Sequence, residues 1–446
     1  MSEPRKLLLI AYYFPPVGGA GTQRAVKFCK HLPRCGWDVT VITGSGDAAG
    51  RWAPSDETLV GDVGEGVRVM RVGSGGGASR LTPTIDRHQG WSCSAIDAAA
   101  GEWRSGSYDA VLITMSPFSL AHIGEALARD CGAPVVYDLR DPWTLDGWPT
   151  YRHIAEWWVH RRFMRRVLSG AAGVIANTPE AARCIGAVVP GLDKERLCVI
   201  PNGYDAEDFS AIDAPPVDPE WFTLVHTGSL HSSVLYPSGG LQARLKRQLL
   251  FRPERLRPEG RTLVFLLEAI KLLRQRRPHL ARRLRLVAVG SSDGSTKRSV
   301  EESGVSDCVD LVGYVPHLKS VEWLMRGDAL FLPLHGLPQG KRSRIVPGKT
   351  YEYLASGRPV LACVPEGDAR DLINASGVGF VADPCDPDAI CDRLVEMVSL
   401  WHDGGLPRGP EAWVADYERG ALTERLAAHL GRVIGSGHRR EVQAAC

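Results

Sequence analysis

The residues best placed to do chemistry in this chain stand in Arg344-Ile-Val-Pro-Gly-Lys-Thr-Tyr-Glu-Tyr-Leu-Ala-Ser-Gly-Arg-Pro-Val360. Pro347 and Gly348 break the chain, and Tyr351, Leu354 and Ala355 recur at helical spacing. Gly357 suits the C′ position, and Pro359 opens an apolar strand-like run. A loop entering a helix presents unpaired backbone N–H groups, which favour phosphate. Lys349 adds a full positive charge, and Glu352, one turn on, could accept hydrogen bonds from adjacent hydroxyls such as those of a ribose. Gly348, Lys349 and Glu352 thus suit a nucleotide diphosphate; an ordinary αβ unit with solvated charges is the plain alternative.

Two further clusters stand at strand ends. Phe14-Pro-Pro-Val-Gly-Gly-Ala-Gly-Thr-Gln-Arg24 puts Gly18, Gly19 and Gly21 before a helix, where the backbone can approach an anion or sugar closely. The spacing is not GxGxxG, and no acidic residue ends the second strand, which argues against a dinucleotide fingerprint. Tyr137-Asp-Leu-Arg-Asp-Pro-Trp143 brings Asp138, Arg140 and Asp141 to a strand terminus. Such charges must be solvated or paired. They are either a structural ion pair or part of a polar cleft, and their position favours the cleft.

The elements that must hold these groups alternate. Candidate strands fall at 6–12, 37–43, 67–72, 109–115, 134–139 and 172–177, with helical patterns near 22–35, 117–130, 152–169 and 179–188. After the Pro- and Asp-rich run at 211–219 the alternation resumes, with strands near 222–229, 284–290, 309–315, 328–334, 359–364 and 378–382. Continuous apolar strands separated by helices predict parallel, doubly wound sheets. The expected organisation is a Rossmann-like domain over 1–208, a linker over 209–221, a second such domain over 222–410, and a strandless segment, 411–446, that must pack on an existing domain.

At 446 residues the chain exceeds one core, and its formal charge of +2 gives no reason to expect nucleic acid as a partner. The longest apolar runs are strand-sized, so no membrane span is expected. The N-terminal apolar run leads into Phe-Pro-Pro rather than a cleavage site, and the eleven cysteines form no CxxC pair. These features predict a cytoplasmic protein with reduced thiols and no zinc site.

Taken in order, Phe-Pro-Pro-x-Gly-Gly-x-Gly, Asp-Leu-Arg-Asp-Pro-Trp, Val-Ile-Ala-Asn-Thr, Val-Ile-Pro-Asn-Gly-Tyr-Asp, His-Thr-Gly-Ser-Leu, Val-Gly-Tyr-Val-Pro-His and Pro-Gly-Lys-x-Tyr-Glu-Tyr-Leu-Ala-Ser-Gly-Arg-Pro-Val resemble the GT-B glycosyltransferases of family four over nearly the whole chain. The resemblance implies two Rossmann-like domains facing across a cleft, with a final helix crossing back to the first. It implies a retaining transfer from a nucleotide-diphosphate sugar to a hydroxyl acceptor. It places Glu352 on the ribose, Lys349 near the diphosphate, Gly18, Gly19 and Gly21 near the phosphate and reacting sugar, and Asp138, Arg140 and Asp141 on the sugar and acceptor side. Gly228 ends the first strand of the second domain, where Ser229 replaces a common Arg; Arg261 stands at a plausible place for the second phosphate-binding cation. Arg344 replaces the glutamate usual eight positions before the one matched by Glu352, which leaves the sugar undetermined.

No DxD metal site is convincing, since Asp386-Pro-Asp388 reads as a helix cap, so neither cofactor nor metal is expected. A front-face displacement through an oxocarbenium-like ion pair is the expected mechanism. Surface polysaccharide, a lipid-linked intermediate or a secondary-metabolite scaffold would serve as acceptor. A sugar-nucleotide epimerase and a non-catalytic nucleotide-sugar-binding protein are the alternatives. Finally, the basic aromatic stretch 152–168 is either an interfacial helix or one whose Trp158, Phe163 and Val167 pack on the sheet. The stretch 241–257, within an apparent insertion at 231–261, reads as a basic lid, an interfacial helix or a loop.

Overall fold

Alternating apolar residues give most strands of this chain two buried faces. In β1 (Arg5–Ile10), Leu8 and Ile10 join one core cluster while Leu7 and Leu9 join another on the opposite side. The computed structural model describes residues 3–47, 55–75, 83–210, 212, 218–230, 232–235 and 249–444. Among these are β2 (Trp37–Thr43), β3 (Arg68–Arg71), β4 (Ala110–Met115), β5 (Val135–Leu139), β6 (Gly173–Ala176) and β7 (Leu197–Val199). They form a seven-stranded sheet in the order β3-β2-β1-β4-β5-β6-β7, with every pair parallel.

The second sheet comprises β8 (Phe222–Thr227), β9 (Leu284–Val289), β10 (Val309–Gly313), β11 (Ala329–Pro333), β12 (Val360–Cys363) and β13 (Gly379–Ala382). Its order is β10-β9-β8-β11-β12-β13, again all parallel. In each sheet the strand order reverses once, between β1 and β4 and between β8 and β11. Open α/β sheets bind ligands beyond the strand C-termini at such a switch point. The candidate clusters follow β1, β5 and β8, or enter the helix between β11 and β12.

The chain divides into two compact units, Met1–Asn202 with Arg419–Cys446, and Gly203–Glu418. The divisions fall at 202 and 418, against expected domain limits of 208 and 410, and 213–217 of the expected linker lie outside the described residues. The final helix, Arg419–Ala444, returns to the first unit, where Leu422, Leu426, Leu430 and Val433 are buried against Leu7, Leu9 and Ile175. Strand β7 and the helix Gln89–Gly106 are among the elements that went unforeseen. Strand β7 has only three residues at the sheet edge. The helix Gln89–Gly106 buries Trp91, Ala95 and Ala99 and packs Ile96 and Trp103 on the core, but small and polar residues between them blur the helical pattern. None of the helices searched among the described residues is long and apolar enough to cross a membrane.

The returning helix carries a buried imidazole. His429 is 0% exposed and neither ring nitrogen has a hydrogen-bond partner among the described residues; a side chain at Gly173 would collide with it. Burial and the nearby Arg432 push its pKa from 6.5 down to about 4. The folded state therefore binds fewer protons than the unfolded one across that window. The stability contribution is complete above about pH 6.5 and is lost as the pH falls toward 4. Melting temperatures of wild type and His429→Leu, measured from pH 8 to 5, are expected to shift steadily in favour of the variant on acidification.

Candidate functional site

In the second unit, the helix Lys349–Ala355 is positioned by its tyrosines. Tyr351 and Tyr353 are buried, and the Tyr353 hydroxyl accepts from the Thr227 N–H (3.0 Å) while lying 3.4 Å from the Phe331 carbonyl. These bonds dock the helix against the ends of β8 and β11. They carry Lys349 to Gly228, where a Cβ would lie 2.7 Å from the Lys349 Nζ. Gly228 has φ +102°, so only glycine satisfies both the backbone and the space. Ser229 follows it, half-buried.

Arg261 reaches the same region by a different route. Arg257 and Gly336 exchange backbone hydrogen bonds of 2.9 Å, and Gly260 packs so closely on Leu334 that a Cβ would fall 2.6 Å from its carbonyl. The Arg261 charge is felt by Lys349, His226 and His335. Desolvation first, then Arg261, hold the Lys349 amine down to about 7, with Glu352 opposing them. The helix has seven residues and Gly348 is its N-cap. Positive charge here therefore comes mainly from the two side chains rather than from a long helix dipole.

Glu352 does not stand alone. Its Oε1 lies 3.8 Å from the His317 Nε2, which in turn is 3.0 Å from the Asp208 Oδ2. His226, His317 and Asp208 were not singled out from the sequence. His226 and His317 nonetheless stand in two of the motifs that carry the resemblance, His-Thr-Gly-Ser-Leu and Val-Gly-Tyr-Val-Pro-His, and His226 is also a polar residue within an apolar strand. Arg344 donates through Nη1 to the Glu254 Oε2 at 2.9 Å, so a carboxylate from the 249–261 segment faces the arginine that replaces the expected glutamate. Residues 241–248 of the expected basic stretch lie outside the described residues. Asp386 caps the helix Pro387–His402 by accepting from Asp388 and Ala389 N–H groups, and Asp388 pairs with Arg276.

In the first unit the expected charged cluster separates. Asp138 is 0% exposed and is gripped by Arg24, whose Nε and Nη2 reach both carboxylate oxygens at 2.7–3.1 Å. Arg24 also donates to the carbonyls of Ile200 and Pro201. Asp138 is therefore a structural ion-pair residue, not a cleft residue: with no accessible surface and both oxygens occupied, it cannot meet a substrate. Arg140 donates to the Met115 and Ser116 carbonyls, and its Nη1 would lie 3.1 Å from a Cβ at Gly21, so these two expected residues do meet. Asp141 is partly exposed; its carbonyl accepts from the Trp143 N–H at 2.8 Å, and its carboxylate makes no hydrogen bond or ion pair among the described residues. Of the two carboxylates in the cluster, it is the one with accessible surface. Next to it, Trp143 is held at φ +51°, rare for a bulky residue, and its ring stacks on Phe118. Gly18 is buried, and Gly19, at φ +93°, caps the helix Ala20–His31.

Two doubly wound units with charged groups at their strand C-termini define an α/β protein of two Rossmann-like sheets. Comparison with known proteins is more specific. Residues 18–203 match the glycosyl transferase 4-like domain, and residues 248–399 match the glycosyl transferases group 1 domain. The chain belongs to the GT-B glycosyltransferases of the family-four type. It is 26% identical over 166 residues to WcaL of Salmonella typhimurium, assigned as a colanic acid biosynthesis glycosyltransferase. That match spans 36% of this chain and 40% of the relative. Among solved structures it resembles α,α-trehalose 6-phosphate synthase from Burkholderia multivorans, with TM-score 0.62 and 14% identity over 99% of both chains. It also resembles Anabaena HepE, solved with UDP and glucose, with TM-score 0.53 and 15% identity over 98% of this chain and 99% of that one.

The ion-pair assignment of Asp138 has a direct consequence. Asp138→Asn leaves the Arg24 guanidinium buried without its counter-charge, a loss of about 3–5 kcal/mol. A melting-temperature drop of roughly 10 °C is expected by calorimetry. A substrate-contacting role would instead lower turnover in a protein of unchanged stability.

Proposed function

We propose that this glycosyltransferase moves a hexose-type sugar from a nucleotide-diphosphate sugar to a hydroxyl acceptor, with retention of anomeric configuration and without a metal. The observation that carries the donor assignment is the Lys349 amine seated against Gly228, with Glu352 one turn further along the same helix. Lys349 and Arg261 would neutralise the diphosphate, and Glu352, flanked by His317, would hold the ribose. Gly18, Gly19, Gly21, Arg140 and Asp141 would serve the sugar and acceptor.

In the proposed step the bond between the anomeric carbon and the β-phosphate oxygen breaks, and the nucleoside diphosphate leaves with the electron pair. The acceptor oxygen bonds to the same face of the sugar, and its proton passes to the departing phosphate. The two cations stabilise the charge that develops on the leaving group, which is where electrostatic preorganisation is most effective. A growing surface polysaccharide or a lipid-linked precursor is the proposed acceptor. The colanic acid assignment of WcaL supports this reading.

A cytoplasmic site at an anionic membrane surface is proposed as well. It rests on the helix Ile154–Gly170, whose inner face buries Phe163, Met164, Val167 and Leu168. Its outer face leaves Ile154 (53%), Trp158 (54%) and Val159 (49%) exposed, so Trp158 does not pack on the sheet as one sequence alternative required. Arg162 and Arg165 share that face, are exposed and make no ion pair among the described residues. Apolar anchors followed by unpaired arginines suit the interface of an acidic bilayer.

Three experiments test these readings. Thermal-shift binding to UDP-, GDP-, dTDP- and ADP-sugars is expected to show one nucleotide that stabilises wild type and not Glu352→Ala, because only a ligand of the folded state raises the melting temperature. NMR of the product should then show retained anomeric configuration; an inverted product refutes the front-face step, and turnover without acceptor marks an epimerase. Sedimentation with phosphatidylglycerol-containing vesicles should exceed that with pure phosphatidylcholine and weaken with salt. Arg162→Glu with Arg165→Glu should reduce it at least ~10-fold, at about 1 kcal/mol per basic residue near the surface.

A further inference from the structure

We infer that His226 is a positioning residue for the diphosphate-binding lysine: its neutral imidazole accepts a hydrogen bond from Lys349 and holds the amine in the space that Gly228 leaves open. The inference rests on the diphosphate reading of that site. His226 is 0% exposed in β8, so it cannot touch the donor itself. Its Nδ1 lies 3.0 Å from the Phe331 carbonyl, which can only accept, so Nδ1 carries the proton. The other nitrogen, Nε2, then offers a lone pair, and the Lys349 Nζ stands 3.3 Å from it.

The neighbours of His226 enforce that state. Burial first, then the Lys349 charge, hold the imidazole well below its ordinary pKa. Arg261 adds to this, while contacts with the Phe331 and Gly228 backbones oppose it. The ring is thus a fixed acceptor. Free lysine side chains sample many rotamers, and ordering one on ligand binding weakens affinity. Here the amine is already tethered at the strand end. One N–H is directed to His226, and the other two remain for phosphate oxygens.

The test compares His226→Leu and His226→Gln with wild type, using UDP as the probe in calorimetric titrations from pH 6 to 9, and GDP, ADP and dTDP in parallel. A glutamine amide can donate to the Phe331 carbonyl and accept from Lys349, so His226→Gln should bind within about threefold of wild type. His226→Leu should bind about 10-fold more weakly, the effect of losing one hydrogen bond to a charged group. Anion binding requires the protonated lysine, so wild-type affinity should decline as the pH rises through about 7. Removing the acceptor destabilises the ammonium form, so the midpoint should move to lower pH in His226→Leu and return in His226→Gln. A purely structural histidine would alter melting temperature without moving that midpoint. If the leucine variant does not fold, His226→Asn, too short to reach both partners, takes its place with the same expectations. Unchanged affinity and midpoint in His226→Leu, or in His226→Asn where it takes its place, overturn the inference. Failure of wild type to bind any of the four nucleotides overturns the diphosphate reading beneath it.

Discussion

The Tyr353 ring is fully buried and its hydroxyl accepts from the backbone of Thr227, and the placement of the second unit's cationic groups depends on that contact. Burying a phenol without a partner for its hydroxyl would be unfavourable. The helix Lys349–Ala355 can therefore dock in only one register, with Lys349 at the end of β8. The same carbonyl, that of Phe331, faces both Tyr353 and His226. One backbone group of β11 thus organises the helix and the imidazole beside its lysine. The lowered pKa values of all three groups follow from this crowding. Two cations and two histidines share a desolvated corner, so the histidines stay neutral and the lysine is poised near neutrality.

The first unit solves a related problem differently. Its buried charge, Asp138, is compensated by a bidentate arginine that also collects the Ile200 and Pro201 carbonyls. Such a pair gives little net stability relative to an apolar replacement, but losing one partner is severe. It ties the helix after the glycine-rich turn to β5 and to the segment following β7. Arg140 and Asp141, two and three residues later, emerge where Asp138 does not, and Arg140 meets Gly21 across the switch point. The ion pair is thus a frame from which the neighbouring groups are presented.

Much of this was legible along the chain because it is local. Alternating apolar runs marked all strands but β7, which is too short to carry a pattern. Asp386 caps its helix as its place in the sequence indicates, and Gly357 follows its helix at φ +63°. The Gly-Lys-x-Tyr-Glu-Tyr order also placed Lys349 and Glu352 one turn apart on a single helix. Trp158 and Trp157 show the limit of such reading. Helical periodicity could not tell which neighbour turns inward, and it is Trp157 that is half-buried, donating to the Thr144 carbonyl.

By itself, then, the sequence determined the two doubly wound sheets, the family to which the chain belongs, and the loops that carry its charged groups. These follow from hydrophobic period, turn chemistry and ordered motifs, all of which are written in near-neighbour spacing. Only the tertiary structure decided which charges are spent and which are open. Asp138 meets Arg24 across 114 positions, Lys349 meets His226 across 123, and Arg344 meets Glu254 across 90. Desolvation and ion pairing act through space, and no local pattern reports them.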